Sequence, residues 1–585
     1  MRRRTRRLAG AGVLALALLL PSGCVTLPES GPVVDAGDTS SEGAEPGMTY
    51  DPPPPQEGDS ATDIVRGFLA AMTATPIQQK PAREFLTTDA QAVWNPGLET
   101  ITYPGTLTPR GESRVSVTLT DADHLDSRGA WQGALPDDQQ NLAFLMKRDE
   151  NGEWRIDEAP NALIVPESWF EQHYRQVSLY FFDPTGTVLV PEPVFVPSGE
   201  QLASTLVAGL LQGPGAGLAH VSQSLLPSGP MELSVPVSDD GVASITLTGA
   251  ADQPSPQDVG PMLAQLAWTL RQEPGIHAFR LTIGTEPVQL PGGVTEFSVD
   301  AGAQFDPTGL QSSALLYALS DGYLVSGPPS ALDPVDGPLG RQRYGVRSVG
   351  VSLDGADAAA VAADGRSVLV SAVRDAGADA KVTEVVSGAT NLLDPAWDLH
   401  GRIWLVDRAP GGARVSYVEN GKVHALDMPR LSGRDVKRFL VSRDGSRLVA
   451  VVHRGRRGDA FLVSRIRYDT TGHVLDALPA RRVFWEGGRS LLQVRDVAWL
   501  TPTTFAVLHR VAQAYEVRSL SVDGAPSGLD GFPTKLNGDF VGLAGSPVQG
   551  EDLYAVTAGG VANVSEPGVG NATLDPGTTS VNYAG

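Results

Sequence analysis

The sequence has a single cysteine, Cys24, among its 585 residues. A lone cysteine cannot form an internal disulfide, and one thiol cannot build a zinc site from several thiolates. The apolar run near the amino terminus, residues 8–20, is also shorter than the roughly 20 residues that cross a bilayer as a helix. These absences exclude a disulfide-stabilised scaffold and a thiolate metal centre.

Motifs of common catalytic sites are absent too. The sequence has no HExxH, GxSxG or GxxxxGK pattern, so it gives no support for a zinc protease, a serine hydrolase or a phosphate-binding loop. The glycine-rich residues 213–217 follow a helical pattern instead of opening one, which indicates a helix end. We therefore predict no catalytic residues, no metal ligands and no cofactor. No two of the nine histidines lie within four residues of each other: His124, His173, His220, His277, His400, His424, His453, His473 and His509.

The amino terminus has the layout of a secretory signal. Five arginines within the first seven residues precede the apolar run, and Pro21, Ser22 and Gly23 then lead to Cys24. A cysteine at this place indicates lipid attachment, with an S-diacylglycerol group on sulfur and, after cleavage at Gly23, an N-palmitoyl group. We predict a signal peptide over residues 1–23 and lipidation at Cys24.

Two features leave other interpretations of this segment open. Pro21 stands where a lipoprotein signal usually has leucine, which bears on the efficiency of cleavage and not on the attachment residue. An ordinary signal peptide with an incidental cysteine is the main alternative. Twin-arginine export is less favoured, because no full motif follows Arg6 and Arg7.

Positive charge is scarce. The formal net charge is -22, and removal of the five signal-peptide arginines changes it to -27. A chain this acidic is expected to be repelled by nucleic acid and by anionic lipid head groups. The lipid must then provide the attachment, so we predict a lipid-anchored protein on the extracytoplasmic face of the cell membrane.

The residues after Cys24 change in character near residue 60. Residues 24–60 are rich in proline and acidic side chains and lack lysine and arginine, so we predict a disordered, extended tether. Beyond it, Ile64, Val65 and Phe68 recur at helical spacing, and later segments alternate as half-buried strands do. Helix first and strands later predict a small α+β domain over residues 61–175.

Residues 176–300 show a second α+β pattern. An apolar strand region is followed by a helix that ends before Gly213, and Ser198 and Gln201 precede this helix at capping-box spacing. A hairpin is indicated around Asp240 and Gly241, and a second helix and a last strand follow.

Residues 301–585 lack helical patterns and carry a weak repeat. Alignment of five anchors gives steps of 45, 45, 57 and 46 residues, mostly within the roughly 40 to 50 residues of a β-propeller blade. We predict an all-β propeller of about six blades, with a large β-sandwich as the alternative. The anchors are Ser352, Trp397, Ser442, Trp499 and Gly545.

Four residues of the repeat could be taken for functional groups. Asp354 and Asp444 each precede a glycine between alternating strands, which favours turns over ligands or acids. Trp397 and Trp499 could stack on a ligand in a central channel, but packing between blades is the favoured interpretation.

Several segments together resemble the LpqB family of actinobacterial lipoproteins, essentially from end to end. After the cysteine and the tether, these are REFLTTDAQAVWNPG and EWRIDEAPN, then LYFFDPTGTVLVPEPVFV, LVAGLLQGP and LAQLAWTL. In the last third they are LLDPAWDLHGRIWLVDR and VRDVAWLTPTTFAVL. Each piece is weakly specific, whereas their order over more than 500 residues is specific.

The resemblance implies a GerMN-like domain over residues 176–300 and a propeller in the last third. It further implies a non-enzymatic protein that contacts the extracellular part of the sensor kinase MtrB and modulates MtrA–MtrB two-component signalling, with effects on cell envelope homeostasis and division. No catalytic residues follow from it. Two other functions stay open, a lipoprotein that binds peptidoglycan or another wall glycan, and a propeller enzyme such as a lactonase or glycosidase.

Overall fold

The computed structural model describes residues 50–585, except 200, 229–230, 250–253, 375–376, 378, 486–490, 527–533 and 567. Tyr50–Gly585 form one unit of packed structure. The predicted signal peptide, Cys24 and the first part of the tether lie outside the described residues. Within the described part of the chain, no helix has both the length and the apolar character that crossing a membrane requires.

The N-terminal domain is built on helix α1 (Ala61–Ala71). The helix begins there because the Ser60 hydroxyl accepts a hydrogen bond from the Asp63 N–H group. Its apolar face buries Ile64 and Phe68 completely. The other elements are α2 (Lys80–Arg83), α3 (Thr88–Val93), β1 (Glu99–Tyr103), β2 (Arg110–Gly111), β3 (Arg114–Thr118), β4 (Asp123–Asp126), β5 (Trp131–Ala134), β6 (Asn141–Arg148), β7 (Trp154–Glu158), β8 (Leu163–Pro166) and α4 (Glu167–His173).

These strands form two four-stranded sheets, in the orders β5-β4-β1-β8 and β2-β3-β6-β7. The alternation predicted around Val115 is confirmed, since Val115 and Val117 of β3 are fully buried and their neighbours are not. The α+β class of this region is therefore confirmed.

The end of the predicted tether belongs to the folded unit, which corrects that part of the interpretation. Tyr50 and Thr75 form an antiparallel bridge with two backbone hydrogen bonds. Pro52 is buried, and the Gly58 N–H group donates to the Glu153 carboxylate at 2.9 Å. The proline-rich, acidic composition of this segment does not predict these contacts. They are made by backbone groups, by the ring of Pro52 and by the carboxylate of Glu153, which is distant in the sequence.

The second domain packs two helices against two sheets. The hairpin of β9 and β10 pairs over nine residues, and β12 runs antiparallel to β11 and parallel to β13. The predicted hairpin and both helices are confirmed. The elements are β9 (Tyr174–Phe182), β10 (Leu189–Pro197), α5 (Leu202–Leu211), β11 (Met231–Ser234), β12 (Val242–Gly249), α6 (Val259–Leu270), β13 (Ala278–Ile283), β14 (Glu286–Pro287) and β15 (Phe297–Ser298).

The predicted capping box of α5 does not form. The residue before the helix is Gln201, and its side chain makes no capping hydrogen bond. Instead, α5 is fixed by burial of Leu206, Val207 and Leu210, none of which is exposed to solvent. Tertiary packing, and not a local cap, sets this helix start.

The last part of the chain is a propeller of six sheets, which we number as blades 1 to 6. A short helix, α7 (Pro338–Arg341), joins blades 1 and 2. Blade 1 contains β16 (Leu316–Ser320), β17 (Tyr323–Gly327), β18 (Asp333–Pro334) and β40 (Thr579–Tyr583); blade 2 contains β19 (Val346–Val351), β20 (Asp357–Ala362), β21 (Val368–Ala372) and β22 (Thr383–Val386); blade 3 contains β23 (Ala396–Trp397), β24 (Ile403–Ala409), β25 (Gly412–Glu419) and β26 (Lys422–Leu426).

Blade 4 contains β27 (Val436–Val441), β28 (Arg447–His453), β29 (Asp459–Tyr468), β30 (Val474–Ala477) and β31 (Arg481–Val483); blade 5 contains β32 (Val494–Thr501), β33 (Thr504–Val511), β34 (Ala514–Ser521) and β35 (Thr534–Leu536); blade 6 contains β36 (Phe540–Ala544), β37 (Tyr554–Thr557), β38 (Gly560–Asn563) and β39 (Ala572–Thr573).

The inner strands close the propeller into a ring. Strands β40, β19, β23, β27, β32 and β36 contact one another in that order, and β36 contacts β40 again. Because β40 pairs with β16, the last strand of the chain supplies the inner strand of the first blade. The five sequence anchors lie on these inner strands or directly after them, which explains the repeat and confirms about six blades.

The three domains share buried surfaces. Phe195 of the second domain and Ala525 of the propeller both belong to the apolar core of the N-terminal domain. Phe182, Leu189 and Trp268 form a smaller core beside Phe305, at the start of the propeller region. Residues 50–585 therefore fold as one assembly.

Candidate functional site

Cys24, the one residue to which the sequence assigns a specific modification, lies outside the described residues. The other candidates can be located.

The two Asp-Gly pairs are turns, as predicted. The Asp444 carboxylate accepts hydrogen bonds from the Ser442 hydroxyl at 2.6 Å and the Ser446 N–H group at 2.7 Å, and Gly445 has φ +74°. Asp354 binds the Ser352 hydroxyl at 2.7 Å in the same way. Both carboxylates are occupied in holding a strand turn.

The two tryptophans join neighbouring blades. The Trp397 indole N–H group donates to the Gly350 carbonyl at 3.0 Å, and that of Trp499 donates to the Val441 carbonyl at 2.9 Å. Both acceptors lie on the inner strand of the preceding blade, and both indoles are over 90 % buried. The packing interpretation is confirmed.

The histidines do not converge on a metal site. Among the described residues, no group of three or more His, Cys, Asp or Glu side chains could hold a metal ion. His509 is buried beside Trp485 and Glu516, and burial lowers its pKa. The glycine-rich segment ends α5, with Gly213 at φ +74°, as predicted.

The central channel of the propeller contains one ion pair. The Arg438 guanidinium donates to the Asp496 carboxylate at 2.9 Å, and the Leu543 N–H group donates to the same carboxylate at 2.9 Å. Burial raises the pKa of Asp496, although Arg438 opposes the shift. The cavity has a volume of about 110 Å³ and is also lined by Asp394, whose charge adds to the rise in the pKa of Asp496. Most of the remaining lining is apolar side chains and backbone.

Arg443 fills one end of this channel. Its guanidinium donates to the carbonyl groups of Thr308 at 2.9 Å and Ala584 at 2.8 Å, and to the Ser546 hydroxyl at 3.3 Å. Burial lowers the pKa of Arg443 to about 10. An arginine held by neutral oxygens closes the end of the channel that faces the second domain.

A buried charge network joins the second domain to blade 4. Glu192 of β10 forms ion pairs with Arg447 of β28, at 3.3 Å, and with Arg465 of β29. Arg447 also pairs with Asp444 at 3.4 Å and donates to the Pro191 carbonyl group. Arg447 is fully buried, and Glu192 is 6 % exposed. Two carboxylates balance two guanidiniums in this interface.

Sequence reasoning missed this network, although two signals were available. Glu192 interrupts an otherwise apolar strand, and a charge in such a strand needs a partner. Arg447 follows its anchor Ser442 by five residues, as Arg402 follows Trp397, and both arginines are at least 98 % buried. The repeat therefore contained a buried arginine, but the sequence could not indicate its partner in another domain.

A cavity of about 230 Å³ lies between the N-terminal and second domains. Its floor is apolar and aromatic, with Phe195 and Tyr174 among the lining side chains, and burial raises the pKa of Tyr174 to about 12. Its rim carries amides and hydroxyls, including Gln78, Gln212 and Thr205. Asp126 and Arg128, which pair with each other at 2.6 Å, also line the cavity. A lining that combines aromatic rings, amides and a neutralised ion pair suits a small polar ligand.

Three family models match consecutive parts of the chain. "Lipoprotein LpqB, N-terminal domain" matches residues 54–171, "Sporulation and spore germination" matches 178–289, and "Lipoprotein LpqB beta-propeller domain" matches 322–565. The order of these matches agrees with the three folded regions of the structure.

Relatives named Lipoprotein LpqB are similar over most of their length. The protein of Thermobifida fusca is 28 % identical over 94 % of this chain and 93 % of its own. That of Streptomyces avermitilis is 28 % identical over 99 % of this chain and 98 % of its own. Among solved structures, the first GerMN domain of the Bacillus subtilis sporulation protein GerM is 22 % identical, with 22 % of this chain and 97 % of that domain covered and a TM-score of 0.19.

Proposed function

Because this chain belongs to the LpqB lipoprotein family, we propose that it is a lipid-anchored regulator that binds the sensor kinase MtrB outside the cell and modulates MtrA–MtrB signalling. In this proposal Cys24 carries the lipid, on the extracytoplasmic face of the cell membrane, and the protein acts by binding and not by catalysis. The observation that carries the proposal is the similarity to proteins named Lipoprotein LpqB along almost the whole chain.

The arrangement of the domains supports a binding role. The charge network around Glu192 and the shared cores hold the three domains as one body. A body of this kind presents fixed surfaces from several domains at once, so a partner can be recognised without reordering the chain. Asp354 and Asp444, which could have been ligands or acids, hold turns, and Trp397 and Trp499, which could have stacked on a ligand, pack between blades.

A binding measurement tests this proposal. The lipid-free chain, residues 24–585 carrying Cys24→Ser, would be presented to the immobilised extracellular domain of MtrB. We expect saturable binding to this domain and none to the extracellular domain of an unrelated sensor kinase. Equal binding to both domains, or to neither, would contradict the proposal.

A second measurement tests the anchor. Cells expressing the wild-type chain or the Cys24→Ala variant would be fed labelled palmitate and separated into membrane and released fractions. We expect label and membrane retention for the wild-type chain, and loss of both for Cys24→Ala. Retention of label by the variant would show that the lipid is attached elsewhere.

The inter-domain cavity favours one further candidate function, recognition of a wall glycan or peptidoglycan. Its aromatic floor and amide rim, including Tyr174, Gln78 and Gln212, are side chains that commonly contact sugars. Co-sedimentation of the lipid-free chain with purified cell wall tests it. The candidate predicts enrichment that the Gln212→Trp substitution, which fills the cavity, abolishes. Wall binding that this substitution leaves unchanged would place the glycan elsewhere.

A further inference from the structure

A cleft of about 340 Å³ lies between blades 4 and 5. It is at the ends of the blades away from the second domain: β28 begins at Arg447, in the domain interface, and reaches the cleft at His453. Seven residues of strand separate the two ends by about 20 Å. The cleft is therefore independent of the interface and of the inter-domain cavity.

Three of the side chains that line the cleft are cationic. Lys437 and Arg495 reach it from the inner strands of blades 4 and 5, and Arg510 from the second strand of blade 5; among the described residues of the lining, Asp459 is the only carboxylate. Asp459 is itself 4 % exposed and accepts hydrogen bonds from Lys437 Nζ at 2.8 Å, His453 Nδ1 at 2.9 Å and the Val494 N–H group at 2.8 Å. It holds these groups in place.

The arginines of the lining have no carboxylate of their own. Within the described part of the chain, Arg495 and Arg510 are exposed and make no ion pair, and Arg510 Nε donates only to the Ala512 carbonyl group. Guanidinium groups that are left unpaired in a concave site can accept an anion in a bidentate arrangement.

More arginines lie beside the cleft, on the turn between β28 and β29. Arg456 and Arg457 are exposed there, and the buried Nε atom of Arg454 has no hydrogen-bond partner. Burial, and then repulsion by Arg482 and Arg457, lower the pKa of Arg454. Cations are thus held close together at an energetic cost, which a bound anion would offset.

The acidity of the whole chain does not cancel this local charge. At physiological ionic strength the field of an exposed charge is screened over about 8 Å. Carboxylates on the far side of the propeller and in the other domains therefore contribute little at the cleft.

We propose that the cleft between blades 4 and 5 binds the phosphate of a phosphodiester, with Lys437, Arg495 and Arg510 as its ligands. A phosphate has the negative charge and the oxygen geometry that two guanidiniums and an ammonium group can share. The size of the cleft admits the phosphate together with a small alcohol on each side. Such a group exists both on phospholipid head groups and on free glycerol phosphodiesters.

Two probes test this site with the lipid-free chain. The first is co-sedimentation with vesicles of phosphatidylcholine and phosphatidylglycerol, compared with phosphatidylcholine alone. The second is calorimetric titration with glycerophosphoglycerol, the free phosphodiester. The test variant is Arg495→Gln/Arg510→Gln. The matched control is Arg366→Gln/Arg414→Gln, which removes two exposed arginines from blades 2 and 3.

We expect binding that the test variant weakens roughly thirty-fold, since each cation near an anionic surface contributes about 1 kcal/mol, and that the control leaves unchanged. Binding to vesicles alone identifies a lipid head group as the source, whereas binding to both probes identifies the phosphodiester itself. Absence of binding to both probes overturns the proposal. Equal loss in the control variant also overturns it, because the attraction would then belong to the face as a whole.

Discussion

Glu192 is the residue whose environment is least expected for its type. It lies on an apolar strand, 6 % exposed, between Arg447 and Arg465. A buried ion pair adds little net stability, but the loss of one partner leaves an uncompensated charge. Burial and repulsion by Arg447 already lower the pKa of Arg465 to about 10, so these guanidiniums depend on the carboxylate.

The Glu192→Gln substitution should therefore lower the free energy of unfolding by about 3–5 kcal/mol. Urea denaturation of the lipid-free chain measures this loss. The control is Glu84→Gln at an exposed site, which should stay within about 0.5 kcal/mol of wild type. Equal effects of the two substitutions would show that the network does not hold the domains together.

His509 gives a prediction about pH. Burial lowers its pKa below 6.5, with Glu516 opposing and Arg518 reinforcing the shift, and Trp485 lies at its edge. The folded state therefore favours the neutral ring, whereas the unfolded state gains a proton as the pH falls through about 6.5. Stability from this residue is present above that pH and is lost below it.

We expect the stability of the wild-type chain to fall between pH 7 and pH 5 more steeply than that of His509→Gln, by at most about 1.4 kcal/mol per pH unit. Urea denaturation at several pH values checks this. His424→Gln, at an exposed site, should keep the wild-type slope. A His509→Gln slope equal to that of wild type would mean that His509 has an ordinary pKa.

Single residues were predicted from the sequence where their neighbours in the chain decide their role. The turns at Asp354 and Asp444 were predicted because an Asp-Gly pair between strands favours a turn by itself: the aspartate binds a group only two residues away. Arg443 and Glu192 were not, because their partners lie far away in the sequence, at Thr308 and Arg465. No spacing rule connects such residues.

At the scale of elements, closure of the propeller depends on β40. This strand comes from the end of the chain, pairs with β16 and contacts β19 and β36 on either side. Val581 on it is 5 % exposed, whereas Thr579 is exposed. The ring is completed only when these residues dock.

The Val581→Asp substitution should cost about 3–5 kcal/mol, because it places an unpaired carboxylate between blades 1 and 6. Thr579→Asp puts the same charge on the same strand at an exposed site, and should change stability by less than about 0.5 kcal/mol. The rate of limited proteolysis measures how often the ring opens. Cleavage that is equally slow in both variants would mean that β40 is not needed for closure.

Elements were predicted best where a period repeats. The anchors lie on or directly after inner strands in five blades. Each anchor alone is a weak sequence signal, but its recurrence in several blades allowed the propeller to be predicted. The start of α5 was predicted less well, because burial of Leu206 and Leu210 and not a cap decides it. The fold of residues 50–60 was missed, since the bridge of Tyr50 to Thr75 uses backbone groups and the partner of Gly58 is the distant Glu153 carboxylate.

At the scale of the whole molecule, net charge does not describe how the charges are distributed over the surface. The net charge of -22 predicted repulsion from anionic groups, yet Lys437, Arg495 and Arg510 gather on one cleft. Net charge averages over surfaces that face different directions, and screening separates them. The fold decides which charges act together.

The central proposal is that the chain is anchored by lipid at Cys24 and binds MtrB outside the cell. Crosslinking in living cells, with wild type and Cys24→Ala compared at equal expression, tests both parts together. The account predicts a crosslinked product with MtrB for the wild-type chain and its strong reduction for Cys24→Ala, since release from the membrane lowers the effective concentration at the kinase. A wild-type chain that gives no product with MtrB, or a variant that gives as much as wild type, would contradict it.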